Sequence, residues 1–244
     1  MCRLLGWASP EPLSATEVVG EDAGRLHALS RLHQDGWGEA WYEQGEVRRR
    51  REIDAAHASS VFASTIEQVR SPVGLVHLRW ATDHIARRLP NTHPFVHDGV
   101  AFAHNGALRR GPHLDALVDE DLLAGAEGDT DSERLFLAIL TARRRTGSLE
   151  GAVADVIGRL DPDSWNSLNF VLLEPGRLHA LCCNDAARRP EDSAPDYFRM
   201  FFETTRACTS VWSSGVRKHT ASELPNRHLL GVDVTTGEVR LRPV

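Results

Sequence analysis

Short apolar, β-rich runs fill the first and last thirds of this 244-residue chain, and helical periodicity fills its middle. That order constrains the fold more than any other feature, because strands then helices then strands require an α+β layered architecture. The opening "MCRLLGWA" reads as a buried strand, and "GWGEAWYEQGEVRRRREI" as two strands about a "QG" turn. "AHASSVFASTIEQV" spaces Val61, Phe62, Ile66 and Val69 as one helical face, the single helix expected in this third. "VGLVHLRW" and "GVAFAHN" are short strands that end in polar residues.

The middle begins with "GPHLDALVDEDLL", whose leucines follow one helical face loosely. The strongest helix is "GDTDSERLFLAILTARRR", with Thr130 and Glu133 in capping-box spacing and a stripe of Leu135, Phe136, Ile139 and Leu140. "SLEGAVADVIGRL" makes a further helix. Strands return with "LNFVLLE" and "LHALCCND" about a "PGR" turn, then "YFRMFFET", "RACTSVWSS" and a final hairpin turning at "TTG". "RRPEDSAPD" reads as an exposed loop, so residues 1–244 are expected to form one domain.

Charge narrows the partners. A net charge of −6 argues against a nucleic-acid or acidic-membrane partner, and the run Arg48–Arg51 is expected to decorate the exposed face of a strand. No stretch approaches the ~20 apolar residues of a membrane span, and the N-terminus lacks a leader pattern. Four cysteines, two of them adjacent, do not make a disulfide framework. The expectation is a cytoplasmic protein that keeps its thiols reduced. Twelve histidines show no metal-ligand spacing, so neither a metal nor another cofactor is expected.

Four polar stretches stand at strand or helix ends: "HQDGWG", "HLRWAT", "FAHNG" and "GDTDSE". Asn105-Gly106 fits either a hairpin turn or an oxyanion hole, in which an amide N–H and a closely approached backbone N–H converge. Arg79 either pairs with a neighbouring carboxylate or grips a substrate carboxylate with its planar fork. Asp131 either complements the helix dipole or holds a substrate ammonium. Cys2, behind the initiator methionine, becomes a thiol with its own α-amine if Met1 is removed, a known way to activate a nucleophile.

Taken together, "MCRLLG", "DGWG", "HLRWAT", "NTHPF", "AHNG" and "GDTDSE", in this order over residues 2 to about 140, resemble the class II glutamine amidotransferases. The resemblance is nearest to their stand-alone members, which carry a glutaminase domain of the N-terminal nucleophile hydrolase type without an attached synthase. It implies a four-layer αββα sandwich and a γ-glutamyl amide hydrolase, with Cys2 as nucleophile once Met1 is removed. It makes Asn105 and Gly106 the oxyanion hole, and Arg79 and Asp131 the clamps on the α-carboxylate and α-amine. Trp80, Thr82 and His93 would complete the pocket. The implied partner is a small γ-glutamyl substrate, with delivery of ammonia to a separate synthase as the alternative; oligomeric state is left open. Two stretches depart from the family pattern. "HQDGWG" replaces an Arg-Gly-Tyr-Asp stretch of synthase-linked members, which makes His33 and Asp35 pocket wall, and "VWSSGVRK" replaces a Ser-Glu-Pro stretch of stand-alone ones.

Overall fold

The computed structural model describes residues 2–81, 85–216 and 221–244. Its strands are β1 (Arg3–Leu13), β2 (Trp37–Glu43), β3 (Glu46–Glu52), β4 (Ser71–Leu78), β5 (Phe95–His97), β6 (Val100–Leu108), β7 (Trp165–Glu174), β8 (Arg177–Cys182), β9 (Met200–Thr204), β10 (Thr209–Ser213), β11 (Ser222–Leu224), β12 (His228–Asp233) and β13 (Val239–Pro243). The helices are α1 (Ala15–Val19), α2 (Ala23–Ser30), α3 (Ser60–Gln68), α4 (Pro112–Asp115), α5 (Glu120–Ala124), α6 (Asp131–Thr146) and α7 (Leu149–Arg159).

Two antiparallel sheets result. One runs β11-β9-β10-β1-β4-β2-β3, the other β13-β12-β8-β7-β6-β5. β1 lies inside the first, pairing with β4 on one side and β10 on the other. Period-two alternation explains why it reads as continuously apolar: Leu4 and Ala8 face the second sheet, and Leu5 and Trp7 face α1–α3.

Three apolar clusters separate the layers. The sheets pack through small residues such as Ala40, Ala101, Ala103 and Ala180. Trp7, Trp37, Val76 and Leu78 pack under Val18, Leu26, Phe62 and Ile66 of the first helical layer. On the other side α6 and α7 cover the second sheet, where Phe136 stacks on Phe102 with centroids 5.0 Å apart. The order is helices, sheet, sheet, helices, the α+β sandwich expected from the sequence.

Several local expectations change. The first third carries three helices, because Ser14 and Glu17 form a complete capping box ahead of α1 and α2 follows at once. Val61 on α3 is 37% exposed, and Phe62 and Ile66 carry the burial. Thr130 does cap α6 by accepting from the Glu133 N–H at 3.0 Å. The Glu133 carboxylate, however, accepts from the backbone N–H groups of Glu127 and Gly128 (2.7 and 2.8 Å) and braces the loop before the helix. In β3 the arginines alternate. Arg49 and Arg51 pair with Glu127, Arg50 reaches Thr65 on α3, and Arg48 points outward.

Candidate active site

A cleft at one end of the sandwich is lined by Cys2, Arg79, Trp80, Ala81, Ile85, Asn91, His93, His104, Gly106, Thr130, Asp131 and Ser132. Sheet topology brings them together. Leu78 at the end of β4 pairs with Arg3 at the start of β1, which sets Arg79 and Trp80 beside Cys2. β6 and the N-terminus of α6 contribute from the second sheet's side.

The Cys2 thiol is fixed by the segment that follows β4. Its Sγ lies 3.4 Å from the Trp80 carbonyl and accepts from the Trp80 N–H at 3.3 Å. Burial pushes the thiol above its ordinary value, against the opposing Trp80 N–H and the Arg79 and Arg3 charges. The thiol is therefore protonated at neutral pH.

Arg79 is buried without a carboxylate partner among the described residues. Its guanidinium donates to the backbone carbonyls of Asp35 (3.2 Å) and Ala86 (3.4 Å), which orient it without neutralising it. Burial lowers its pKa, with the Asp35 charge opposing. Asp35 acts as a brace, since its carboxylate accepts from the Ala81 N–H at 2.8 Å. His33 stacks edge-on against Trp80 with centroids 5.5 Å apart and bonds the Leu29 carbonyl. Trp80 remains 48% exposed at the cleft mouth.

Asn105 and Gly106 lie within β6, paired with Asn169 and Leu168 of β7, so neither forms a turn. Asn105 is buried, and among the described residues neither atom of its side-chain amide has a hydrogen-bond partner. Such a group costs about 1–3 kcal/mol when left unsatisfied and commonly marks a place for something to bind. Gly106 is required sterically: a Cβ there would stand 1.8 Å from the Ser167 carbonyl.

Asp131 opens α6 and is buried. One carboxylate oxygen accepts from the Leu108 N–H at 2.8 Å, and the other lies 3.5 Å from the Ser132 hydroxyl. His93 is buried with both ring nitrogens unpartnered among the described residues, 4.3 Å from the His77 ring between centroids. Burial holds both imidazoles neutral, moving His77 down to about 3 and His93 well below its ordinary value. Thr82 and Met1 lie outside the described residues.

Three polar residues that the sequence did not single out join the cleft: His104, Ser132 and Asn91. His104 and Ser132 each adjoin a proposed site residue inside a quoted motif, and Asn91 stands two before His93 in "NTHPF". Asn91 donates to the Ala86 carbonyl and accepts from the Asp129 N–H, joining the two loops at the rim.

The sequence profile of the class II glutamine amidotransferases matches residues 1–187. The chain belongs to the class II glutamine amidotransferases. A Haemophilus influenzae protein assigned to the glutamine amidotransferases is 35% identical over 144 residues, covering 56% of this chain and 46% of that protein. A glutamine–fructose-6-phosphate aminotransferase of Yersinia pseudotuberculosis is 27% identical over 188 residues, covering 74% of this chain and 28% of that protein. The chain thus spans under half the length of these curated relatives.

Among solved structures, a glutamine aminotransferase class-II domain protein from Silicibacter pomeroyi superposes with a TM-score of 0.68 at 20% identity, over 99% of both chains. The glutamine phosphoribosylpyrophosphate amidotransferase of B. subtilis superposes with a TM-score of 0.60 at 14% identity, over 100% of this chain and 49% of its own. At these identities the likeness establishes the class II amidotransferase fold. Among the described residues, no helix is long and apolar enough to cross a membrane.

Proposed function

We propose that this chain hydrolyses a γ-glutamyl amide, either glutamine or a γ-glutamyl conjugate, through a thioester on Cys2. The observation that carries this reading is one cleft holding a thiol, an arginine without a carboxylate partner, a buried aspartate and the oxyanion glycine. Beside Gly106 on the same strand stands Asn105, with its amide unpartnered.

The chemistry follows from each group's state. A thiol raised above its ordinary value is neutral, so its proton must leave as it attacks. The α-amine of Cys2, free once Met1 is removed, takes that proton. Sulfur bonds to the γ-carbonyl carbon, and the carbonyl electron pair moves onto oxygen. The Asn105 amide and the Gly106 backbone N–H stabilise that oxyanion; each such donor contributes roughly 3 kcal/mol to lowering the barrier.

Collapse of the tetrahedral intermediate breaks the C–N bond. The proton passes to the departing nitrogen, which leaves as ammonia or an amine. Water then adds to the thioester through a second oxyanion, releasing glutamate and restoring the thiol. Arg79 holds the substrate α-carboxylate and Asp131 its α-ammonium, while Trp80, Thr82 and His93 complete the pocket.

A second reading is a glutaminase unit that passes ammonia to a separate synthase. It is favoured by the match to only 28% of the Yersinia aminotransferase. The two readings part in one experiment. Purified protein, shown by intact mass to begin at Cys2, is incubated with glutamine and a panel of γ-glutamyl amides. Release of ammonia or amine that disappears in Cys2→Ala supports the hydrolase. Turnover that survives this substitution would sink the mechanism, and activity present only with an added synthase favours the second reading.

A further inference from the structure

Between the proposed substrate clamp at the start of α6 and strand β7 lies a short polar chain that the mechanism above does not use. His104 is buried on β6, directly before the oxyanion pair. Its Nε2 is 3.0 Å from the Ser167 carbonyl, and its Nδ1 is 2.9 Å from the Ser132 hydroxyl. A carbonyl oxygen only accepts, so Nε2 carries a proton and donates it. Burial holds His104 below its ordinary value against the pull of Asp131, so the ring is neutral and Nδ1 is an acceptor. The charged or titratable neighbours are Asp131 from α6, His77 from β4 and His93 from the segment before β5.

Ser132 has one hydroxyl proton and two acceptors within reach: His104 Nδ1 at 2.9 Å and the Asp131 carboxylate at 3.5 Å. It can satisfy only one of them. We propose that His104 is a positioning residue for the substrate clamp: by accepting the Ser132 hydroxyl proton, it keeps one Asp131 oxygen free of internal donors and open to the substrate's ammonium group. The other Asp131 oxygen is already committed to the Leu108 N–H at 2.8 Å, which fixes the carboxylate's orientation. Were Nδ1 to lose its acceptor character, Ser132 would turn its hydroxyl onto Asp131. The ammonium would then compete with a resident donor.

This inference rests on Asp131 acting as the ammonium clamp, and its test has an arm independent of that reading. Asparagine in place of His104 presents an acceptor oxygen near the Nδ1 position but abandons the Ser167 bond. Glutamine presents an amide donor near the Nε2 position but removes the acceptor facing Ser132. His104→Asn is therefore expected to keep KM for the γ-glutamyl substrate within about twofold, even where its melting temperature falls. His104→Gln is expected to raise KM about tenfold while kcat changes by less than about twofold. Adding Ser132→Ala to His104→Gln removes the competing hydroxyl and should restore KM.

A merely structural role predicts otherwise, since KM would then follow the melting temperature. Equal KM values in the Asn and Gln variants, or a double variant no better than His104→Gln alone, would overturn the proposal. Independently of substrate, ¹⁵N NMR of the unliganded protein at neutral pH should show His104 as the neutral Nε2–H tautomer. An Nδ1–H tautomer or an imidazolium overturns it as well. A wild-type protein without turnover, but with the Nε2–H tautomer, would overturn the functional reading and leave the hydroxyl's orientation supported.

Discussion

The β6–β7 pair treats buried polarity in opposite ways along its length. Midway along it Asn105 is buried with both amide atoms unpartnered among the described residues. At the end of β7, the buried Glu174 carboxylate accepts from His179 Nε2 at 3.1 Å and forms an ion pair with Arg143. Burial raises the Glu174 carboxyl, but the His179 hydrogen bond and the His179 and Arg143 charges outweigh it, so the group sits below its ordinary value. The same two strands therefore hold one polar group paired with charged neighbours inside the protein and one without a partner among the described residues. The contrast is the one expected between structural polarity and the polarity of the proposed oxyanion hole.

Exchanging the two outcomes tests that distinction. Asn105→Ala should lower kcat by roughly 10²–10³-fold, the usual cost of one oxyanion donor, while leaving the melting temperature within a few degrees. A large fall in stability would mean that the amide has an internal structural role after all. Glu174→Ala should do the reverse. Loss of its hydrogen bond and ion pair should cost about 3 kcal/mol in denaturant unfolding, with kcat unchanged within about twofold.

The wild-type contribution of Glu174 also has a definite pH sign. Because its folded pKa is depressed, the stabilisation is present above the ordinary carboxyl value and is lost as pH falls through the folded one. The difference between wild type and Glu174→Ala should shrink on acidification.

Glu39 supplies a third case and the smallest effect. It is fully buried on β2 with both carboxylate oxygens unpartnered among the described residues, but unlike Asn105, which adjoins Gly106, it has no neighbour on its strand that lines the cleft. Burial raises its pKa to about 8, with the Arg50 charge opposing. Its folded pKa lies above the unfolded value, so stability falls as pH rises from about 4.5 towards about 8. Glu39→Gln should match wild type near pH 4.5 and exceed it near pH 6.5 by about 2 kcal/mol. A difference that does not grow with pH would mean that Glu39 is charged in the folded protein.

What could be read from the sequence divides along similar lines. α6 was legible because its length, cap and four-residue apolar stripe all agree. β1, β4 and β6 were legible because their cores are short, apolar and bounded by polar residues. α1 and α2 were not, since five and eight residues give too few turns for a periodicity to stand out. The Ser14–Glu17 box was the available signal.

At the site, the motifs marked the stretches but not the work of each residue. Nothing local shows that Glu133 braces residues 127 and 128, or that Arg49 and Arg51 converge on Glu127. Nor does a sequence show that Asn105 lacks a partner. That is a property of its neighbours on β7, not of its own motif.

The central place of β1 has a consequence for biogenesis. Cys2 lies far ahead of β10 in the chain, yet β1 takes its second sheet neighbour from residues 209–212, and the Leu4 N–H is met by the Ser213 hydroxyl at 2.9 Å. A nascent chain that already contains every proposed site residue still has β1 unpaired along one edge. Such an edge leaves backbone donors and acceptors unsatisfied and the strand's position undetermined. The proposed nucleophile therefore stands beside a fully paired β1 only once residues 209–213 have folded against it.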